Sequence, residues 1–383
     1  MDRQVAIAGV GWIGFSPSTP ELSYKELMYE AAVRAYADAG VDPRRDIDSF
    51  VTVAEDFHEG TSIFDEYTPD QLGAVLKSMQ TIPGDGLHGL ATAYMLVRTG
   101  QFDIVAVEGH SKASNILTLP EVTGHAQDPV LNRPLRFNTQ FVAGLEMNRY
   151  LHETDTTQAQ CSTVVVKNRG NALRNPSAAY GADLSQEEVL KGPPLSWPLG
   201  QREAAEHSDG AIVFVLADGE SARYLRDDPI WILGVGWCNG APSLESRDWG
   251  SIPYIRKAAH IAYQQAGFNS PLGIVDFAEV DDIYAYKELQ SLEALGFFAP
   301  GEAGLMTEEG YTAFDAALPV NVSGGSLGVG HLLDATGLAR ALEVVLQLRG
   351  EAGARQIENA EVGLAQSWRG VPTTSGAVAV FSN

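Results

Sequence analysis

The chain contains two similar copies of one segment, and this duplication constrains the fold more than any other feature. VAIAGVGWIG at residues 5–14 returns as WILGVGWCNG at 231–240, and AAVRAYADAGV at 31–41 returns as AAHIAYQQAGF at 258–268. The order of the pieces and the spacing between them are kept in both copies. Such a repeat predicts two halves with the same internal arrangement of strands and helices.

Each copy continues with the same kinds of segment. An apolar run follows, IDSFVTVAED at 47–56 and VDFAEVDDIY at 275–284, and then a glycine-rich turn opens a helix, at 84–100 and 324–350. Each half is therefore predicted as strand, helix, strand, helix, strand. Strands that alternate with crossover helices favour parallel sheets covered by helices, so we predict an α/β protein, a layered α/β/α/β/α sandwich of two mixed, mostly parallel sheets.

The predicted halves are residues 1–225 and 226–383. Residues from about 111 to 198 interrupt the first half and have no counterpart in the second. This insertion is rich in polar and turn-forming residues and then contains one long helix at 157–176, which stops at an Asn-Pro pair. An insertion of this kind carries substrate contacts or an oligomer interface, or it only fills out the surface.

Composition excludes several kinds of partner. The chain has 49 acidic and 26 basic residues, a formal charge of -23, and no basic block, which argues against nucleic acid or an anionic membrane surface. Two cysteines without ligand spacing argue against a disulfide scaffold and a structural zinc site, and we predict no metal site. No stretch approaches the roughly 20 apolar residues needed to span a bilayer, and we expect a cytoplasmic protein.

Four further segments, taken in order on a duplicated fold, identify a family resemblance. They are VVVKNRGNALRNPSAAYG at 164–181, PLGQREAAEHSDGAIVFVLA at 198–217, EVDDIYAYKELQSLEALGFFAPGEAG at 279–304 and NVSGGSLGVGHLLDATG at 321–337. Together they resemble the thiolase superfamily over essentially the whole chain, and most closely its branch with the thiolase domain of sterol carrier protein X and the steroid side-chain aldolases. The resemblance implies a duplicated thiolase fold and an acyl-coenzyme A thioester as substrate, with no covalently bound cofactor.

The resemblance also shows what the chain lacks. Family chemistry uses a cysteine nucleophile at the start of the helix after the third strand, and that position is assigned to Pro83, which has no nucleophilic side chain. A second family cysteine is replaced by Ser367, Trp368 or Arg369. Of the two thiols that do exist, Cys161 is predicted to be a small buried residue of a helix, and Cys238 is predicted to have a packing role. Thiolysis through an acyl-enzyme is therefore not expected.

Three side chains are predicted to be catalytic. His331 lies in the family's glycine-rich histidine loop, whose histidine helps to form an oxyanion hole. The family's proline after it is Leu332 here, and a glycine two residues further on is Asp334. Asp281 occupies the place of the family's second oxyanion-hole residue, where it could act as a base or orient His331. Tyr284 could donate to an alkoxide or act as a base, or simply pack in the core.

Five residues are predicted to bind substrate. Asp85 and His88 lie in the helix turn beside Pro83, although an acidic residue there is also a routine helix cap. The remaining three are Gly324 and Gly325 of the histidine loop and Trp368 of the C-terminal loop.

Three functions compete. The first is retro-aldol cleavage, or the reverse bond formation, of a β-hydroxyacyl-CoA, because that reaction needs no acyl-enzyme. The second is a non-catalytic subunit that binds acyl-CoA or supports an active thiolase-like partner, and the third is an acyl-CoA acetyltransferase, for which no nucleophile is found. The resemblance further implies a homodimer and a small, zinc-containing OB-fold partner that binds acyl-CoA.

Overall fold

A computed structural model describes residues 3–60, 62–241, 243–369 and 374–383. Its strands are, in chain order, β1 (Val5–Ser16), β2 (Ser49–Val53), β3 (Ser78–Ile82), β4 (Ile104–Ser111), β5 (Pro194–Ser196), β6 (Leu199–Gly200), β7 (Asp209–Asp218), β8 (Ile230–Asn239), β9 (Phe277–Glu279), β10 (Val362–Trp368) and β11 (Ser375–Ser382).

Helices connect these strands and cover them. They are, in chain order, α1 (Tyr24–Ala39), α2 (Pro43–Asp46), α3 (Asp56–Glu59), α4 (Pro69–Leu72), α5 (Gly86–Arg98), α6 (Leu119–Thr123), α7 (Thr139–Thr154), α8 (Gln158–Ala172), α9 (Gln186–Leu190), α10 (Gly219–Leu225), α11 (Pro253–Ala266), α12 (Ala285–Leu295), α13 (Ala303–Glu308), α14 (Gly325–Val329) and α15 (Thr336–Leu348).

The strand order shows the duplication directly. In the described residues, nine strands form one sheet in the order β3-β2-β4-β7-β1-β8-β11-β10-β9. From the β1/β8 boundary outward, the first half runs β1, β7, β4, β2 and the second half runs β8, β11, β10, β9. In the second half, an isolated parallel bridge between Ala278 and Val320 takes the place of the β2–β3 pairing. The repeated sequence segments therefore occupy equivalent positions in the two halves.

Strand directions are mixed in the same way in both halves. The pairs β2–β4 and β9–β10 are parallel, whereas β4–β7, β10–β11, β1–β7 and β8–β11 are antiparallel. Parallel pairing occurs where a helix carries the chain back across the sheet. A short antiparallel pairing of β1 with β8, at Ala6–Trp231 and Ile7–Ile230, joins the two halves into one continuous sheet.

Glycines explain why the GVGW sequence is repeated. A Cβ atom on Gly11 of β1 would lie 2.2 Å from the backbone nitrogen of Ala35, and one on Gly236 of β8 would lie 2.0 Å from the carbonyl oxygen of Ala258. These glycines, with the alanines facing them, let α1 and α11 lie directly on their strands. In each half, the glycines of the strand and the alanines of the helix are thus the two sides of the same close contact between helix and strand.

Three apolar cores separate the layers. One lies between α1 and the outer face of the first half, and another lies between the second half and helices α8, α11 and α12. The third contains α5 and α15 together with side chains from strands of both halves. Helices α5 and α15 therefore form a central layer between two halves of the sheet, and the predicted five-layer sandwich is confirmed.

The predicted insertion lies between β4 and β7. The second half connects the equivalent strands β10 and β11 with a much shorter segment. Helix α8 occupies most of the predicted 157–176 helix. The predicted boundary near residue 225 falls between α10 and β8. Among the described residues, no helix combines the length and apolar character needed to cross a membrane.

Candidate active site

Helix α5 begins at Gly86, three residues after Pro83. Asp85 is its N-cap residue, and Pro83 is exposed in the preceding turn. Pro83, the position that the family resemblance assigns to the nucleophile, thus lies in the turn that leads into the helix and has no nucleophilic side chain, and the first helical residue, Gly86, has none either. A Cβ atom on Gly86 would lie 2.6 Å from the backbone nitrogen of Leu338 on α15. The packing of the two central helices leaves no room there for a nucleophilic side chain.

We predict that Gly86→Cys does not create a thiolase. The new side chain must displace α15, so we expect the variant to lose about 1–3 kcal/mol of stability and to show no thiolysis of acetoacetyl-CoA. Gly84→Cys is the matched control, because a Cβ atom there meets only His88 at 3.5 Å, an ordinary contact. Thermal unfolding and a thiolysis assay test both variants, and thiolase turnover by the Gly86 variant would contradict the prediction.

Asp85 links the two central helices. Its carboxylate accepts hydrogen bonds from the backbone N–H groups of Leu87, at 2.9 Å, and Gly337, at 2.8 Å. Burial raises the pKa of Asp85 to about 6, against the opposing effect of these hydrogen bonds. The carboxylate therefore caps α5 and ties it to α15, and it does not line the pocket that contains His331.

His88 also lies outside that pocket. Its Nε2 is 2.9 Å from the Ser375 hydroxyl oxygen. Burial, with the nearby positive charge of Arg369, lowers the pKa of His88 to about 4, so the ring is neutral at physiological pH. In the structure, His88 therefore links α5 to β11 through its contact with Ser375.

The histidine loop positions His331 through its backbone. The N–H of His331 donates to the carbonyl oxygen of Glu206 at 2.7 Å, and the N–H of Ser208 donates to the carbonyl oxygen of His331 at 3.0 Å. The Thr336 hydroxyl is 3.0 Å from Nδ1 of His331 and 2.9 Å from the Leu333 carbonyl oxygen. Because the Thr336 hydroxyl donates to that carbonyl oxygen, its own oxygen can accept a hydrogen bond from Nδ1–H of His331. Nδ1 then carries the ring proton, and Nε2 can accept a proton.

His331 lines a pocket of about 100 Å³. Tyr284 and Ile283, just before α12, form one wall, and residues from the insertion and from the segment before β7 form others. Burial raises the pKa of Tyr284, so its phenol stays protonated, and we find no hydrogen-bond partner for its hydroxyl in the described parts of the chain. The remaining lining residues are His58, Leu119, Pro120, Thr123, Thr139, Gln140, Ala204, Ala205, His207, Leu333 and Arg369.

The carboxylate of Asp281 accepts hydrogen bonds from backbone N–H groups. Its Oδ1 accepts from the N–H of Ile283 at 3.0 Å, its Oδ2 accepts from the N–H of Trp368 at 3.3 Å, and the guanidinium of Arg340 lies 3.5 Å away. Asp281 is buried and does not line the pocket with His331. It therefore fixes the segment that carries Tyr284 and is not in a position to touch substrate there.

The remaining predicted substrate-binding residues also support the site from outside. A Cβ atom on Gly324, whose φ is +105°, would lie 2.6 Å from Cβ of Ala172, and one on Gly325 would lie 2.1 Å from Oδ2 of Asp282. Both glycines are thus required by close packing. Trp368 is buried, with the ammonium group of Lys287 4.2 Å from its ring centroid. None of the three lines the pocket of His331.

Two side chains that the sequence left without a role complete the polar lining. Nδ1 of His58, on α3, is 3.0 Å from Oδ1 of Asp334, and its Nε2 is buried without a hydrogen-bond partner among the described residues. Arg369 forms an ion pair with Glu55. Burial alone would lower the pKa of His58, but the carboxylates of Asp334, Glu55 and Glu59 outweigh it, and the pKa is raised.

The other two histidines are held neutral. Burial, together with the charge of His58, lowers the pKa of His207 to about 4. Burial and the charges of His207, His58 and Arg340 hold the pKa of His331 well below its usual value. The rings of His207 and His331 lie 5.4 Å apart. The pocket thus holds one histidine that favours its charged form and two that favour the neutral form.

Neither cysteine contributes to the pocket. Cys161 is fully buried on α8, and burial with the nearby Glu203 carboxylate raises the pKa of its thiol well above the usual value. The sulfur of Cys238 lies 3.6 Å from the carbonyl oxygen of Asn239. Of the C-terminal loop, residues 370–373 lie outside the described residues.

A second, larger pocket of about 360 Å³ shares Pro120 with the first. It is formed by the insertion and contains the exposed side chains of Arg133 and Arg136, with Glu121 as the acidic residue of its lining. Arg133 donates to the carbonyl oxygen of His125 at 2.6 Å, and Arg136 has no carboxylate partner among the described residues. This cationic pocket is a local exception in a strongly acidic chain.

The duplicated five-layer sandwich and the glycine-rich loop that presents a histidine to a pocket define a thiolase-fold protein. Residues 240–383 match the family model "Thiolase C-terminal domain-like". The chain is 31% identical to an acetyl-CoA acetyltransferase of Methanothermobacter thermautotrophicus, over 99% of this chain and 100% of that protein. It is 29% identical to a steroid side-chain-cleaving aldolase of Thermomonospora curvata, over 89% of this chain and 90% of the relative.

A solved structure extends these similarities. The "Ltp2-ChsH2(DUF35) aldolase" superposes with a TM-score of 0.84 at 26% identity, covering 98% of this chain and 97% of that one. The chain belongs to the thiolase superfamily, in the branch that includes sterol carrier protein 2. The predicted family and branch are confirmed.

Proposed function

We propose that the protein is a carbon–carbon lyase that cleaves, or in reverse forms, a β-hydroxyacyl-CoA by aldol chemistry in the cytoplasm. The observation that carries this proposal is the pocket of His331, which offers acid–base groups and no thiol among its lining residues. An acetyltransferase through an acyl-enzyme is disfavoured, because neither Pro83, at the family's nucleophile position, nor the first helical residue, Gly86, has a nucleophilic side chain. The similarity to two aldolases of the superfamily supports the same choice.

The chemistry requires a base, a carbonyl product and a thioester enolate. Nε2 of the neutral His331 accepts the proton of the β-hydroxyl group, and the electrons of that O–H bond form the new carbonyl. The Cα–Cβ bond breaks, and its electron pair moves into the thioester to give an enolate. Return of the proton to Cα then yields an acyl-CoA and a ketone or aldehyde, so no oxidant or nucleophile is consumed.

Tyr284 supplies a neutral hydrogen-bond donor in this scheme. Its phenol lines the same pocket as His331, and burial raises its pKa, so it remains protonated throughout the pH range of most enzymes. A phenol that keeps its proton can hold the β-oxygen of the substrate toward His331 but does not compete for the proton. Asp281, Asp85 and the glycines of the histidine loop hold these two side chains in place.

The cationic pocket is the proposed binding site for the phosphate groups of coenzyme A. Arg133 and Arg136 are exposed in a cavity that shares Pro120 with the pocket of His331, so a thioester could reach from one into the other. Guanidinium groups bind phosphate through paired hydrogen bonds. We extend the proposal to a homodimer and to a small acyl-CoA-binding partner. The name of the Ltp2-ChsH2(DUF35) aldolase, which gives a second component beside Ltp2, supports a partner subunit.

A product assay tests the proposal. The purified chain, alone and with proteins that copurify with it, is incubated with β-hydroxyacyl-CoA substrates bearing branched or ring-bearing β-carbons, and the acyl-CoA and carbonyl products are identified by mass spectrometry. The Arg133→Gln/Arg136→Gln variant should raise KM about tenfold with little change in kcat, since two phosphate contacts are lost. Arg149→Gln, an exposed arginine paired with Glu153 on α7, is the control.

One result would contradict the proposal directly. Rapid thiolysis of acetoacetyl-CoA by the purified chain, abolished by Cys161→Ala or Cys238→Ala, would show that a thiol of this protein carries an acyl group. Carbonyl product without any thiolysis is the expected result.

A further inference from the structure

An Asp–His pair, Asp334 with His58, lies at the pocket that contains His331. His58 lines this pocket. His58 lies on α3, directly after β2, and Asp334 lies three residues after His331. Nδ1 of His58 is 3.0 Å from Oδ1 of Asp334, and the two side chains are only 10% and 6% exposed. The pair therefore forms inside the protein, where a charged hydrogen bond is strong.

The position of Asp334 is fixed independently of His58. Its second oxygen, Oδ2, accepts a hydrogen bond from the backbone N–H of Glu55 at 2.8 Å. Because one carboxylate oxygen holds the backbone and the other holds the ring, the orientation of the His58 imidazole is set. Nε2 is the ring nitrogen that remains, and it is buried without a partner among the described residues.

The charges around His58 favour its protonated form. Asp334, Glu55 and Glu59 face it as carboxylates, the guanidinium of Arg369 is held by Glu55, and His207 and His331 share the pocket as neutral rings. A protonated ring carries a hydrogen on Nε2, and a buried donor without an acceptor costs free energy. An acceptor supplied by a bound substrate would remove that cost.

We propose that His58, held by Asp334, donates its Nε2–H to the thioester oxygen of the substrate and stabilises the enolate formed there. This assignment rests on the proposed carbon–carbon lyase function and gives it a second catalytic residue. As the Cα–Cβ bond breaks, negative charge accumulates on the thioester oxygen, which the imidazolium meets without giving up its proton. His331 exchanges the proton between the β-oxygen and Cα, so the two histidines have different tasks in opposite charge states.

The enolate step can be measured without the complete reaction. An enzyme that stabilises a thioester enolate exchanges the α-protons of its acyl-CoA product with solvent, so we predict that wild-type protein exchanges the α-protons of propionyl-CoA in D2O. His58→Gln should slow this exchange by about 100-fold, the effect of removing one oxyanion donor. His152→Gln, an exposed histidine on α7, is the control, and thermal unfolding checks that each variant is folded.

The pH dependence separates a catalytic role from a packing role. Because nearby carboxylates raise the pKa of His58 above its usual value, exchange should fall as the pH rises through that pKa, at a higher pH than for an unperturbed imidazole. Asp334→Asn removes the carboxylate that raises the pKa and should move this decline to lower pH. A His58 NMR signal that titrates in step with the decline, and moves with it in Asp334→Asn, is the expected result.

Two outcomes overturn the assignment in distinguishable ways. If wild-type protein exchanges the protons and folded His58→Gln does so equally fast, His58 is a structural ion-pair partner and the lyase proposal stands without it. If wild-type protein neither exchanges α-protons nor cleaves β-hydroxyacyl-CoA, the lyase proposal fails and the assignment fails with it.

Discussion

The His331→Ala variant is expected to lose about 10²–10⁴-fold in kcat for cleavage of a β-hydroxyacyl-CoA, the range for removal of a general base. The imidazole is the proposed acceptor of the β-hydroxyl proton, and burial keeps it neutral and ready to accept. KM should change little, since the proposed phosphate-binding pocket and Tyr284 are left intact. The measurement is steady-state kinetics of the same cleavage assay.

The fold of this variant should survive. His331 contacts Glu206 and Ser208 through its backbone, and these hydrogen bonds do not depend on the ring. Thr336→Val provides a second comparison, because it removes the hydroxyl 3.0 Å from Nδ1 and should lower kcat by a smaller factor. Cleavage by folded His331→Ala at the wild-type rate would remove His331 from the mechanism.

Arg340→Met is expected to lower the free energy of unfolding by about 3–5 kcal/mol, the cost of leaving a buried carboxylate without its cation. The guanidinium of Arg340 is buried 3.4 Å from Oδ1 of Asp282 and 3.5 Å from Oδ2 of Asp281, and it donates to the Ser326 hydroxyl oxygen at 3.0 Å. Denaturant unfolding measures the change. Arg149→Met, which breaks an exposed ion pair, should cost less than about 1 kcal/mol.

The pH dependence of that loss follows from the Asp282 carboxylate. Burial raises its folded-state pKa above the unfolded value of 3.8, against the pull of Arg340, and removal of the guanidinium raises it further. A carboxylate whose pKa is raised on folding destabilises the fold at neutral pH, and the cost fades as the pH falls toward 3.8. The stability difference between variant and wild type should therefore shrink on acidification, and a constant difference would contradict this origin.

These two predictions address different parts of one arrangement. Arg340 and its carboxylates lie behind the pocket, where Asp281 fixes the backbone before Tyr284 and Asp282 accepts hydrogen bonds from the N–H groups of Ser326 and Leu327 on α14. The histidine loop and the Tyr284 segment are thus held by buried charges that do not touch the pocket. Arg340→Met should therefore mainly lower stability, whereas His331→Ala should mainly lower kcat.

The sequence was sufficient to predict the fold because the fold is repeated in it. The glycines and alanines of the two GVGW segments and their facing helices record one helix-on-strand contact twice, and the strand order is the same in both halves. Apolar periodicity and repeats are properties of neighbouring residues along the chain, so they can be seen without coordinates. The family resemblance carried by four segments then implied that the nucleophilic cysteine is missing and that the loop histidine, His331, remains.

The candidate site was only partly predictable, and the reason is packing. His331 and Tyr284 line one pocket, but the carboxylate of Asp281 accepts from backbone amides and lies near Arg340, and Asp85 links α5 to α15. Only the structure shows that α5 begins at Gly86, three residues after Pro83, the position that the resemblance assigns to the nucleophile.

The pairing of His58 with Asp334 could not be predicted by spacing, since 276 positions separate the two residues. The signals that could have suggested it were a histidine in the short segment that follows the buried strand β2, and an aspartate in place of a family glycine. The sequence by itself determined the repeat and the layers and, through the family resemblance, the absence of a cysteine at the nucleophile position. Only the tertiary structure decided which side chains share a buried pocket and in which direction the pKa of each of its histidines is shifted, because proximity and burial depend on how distant segments pack.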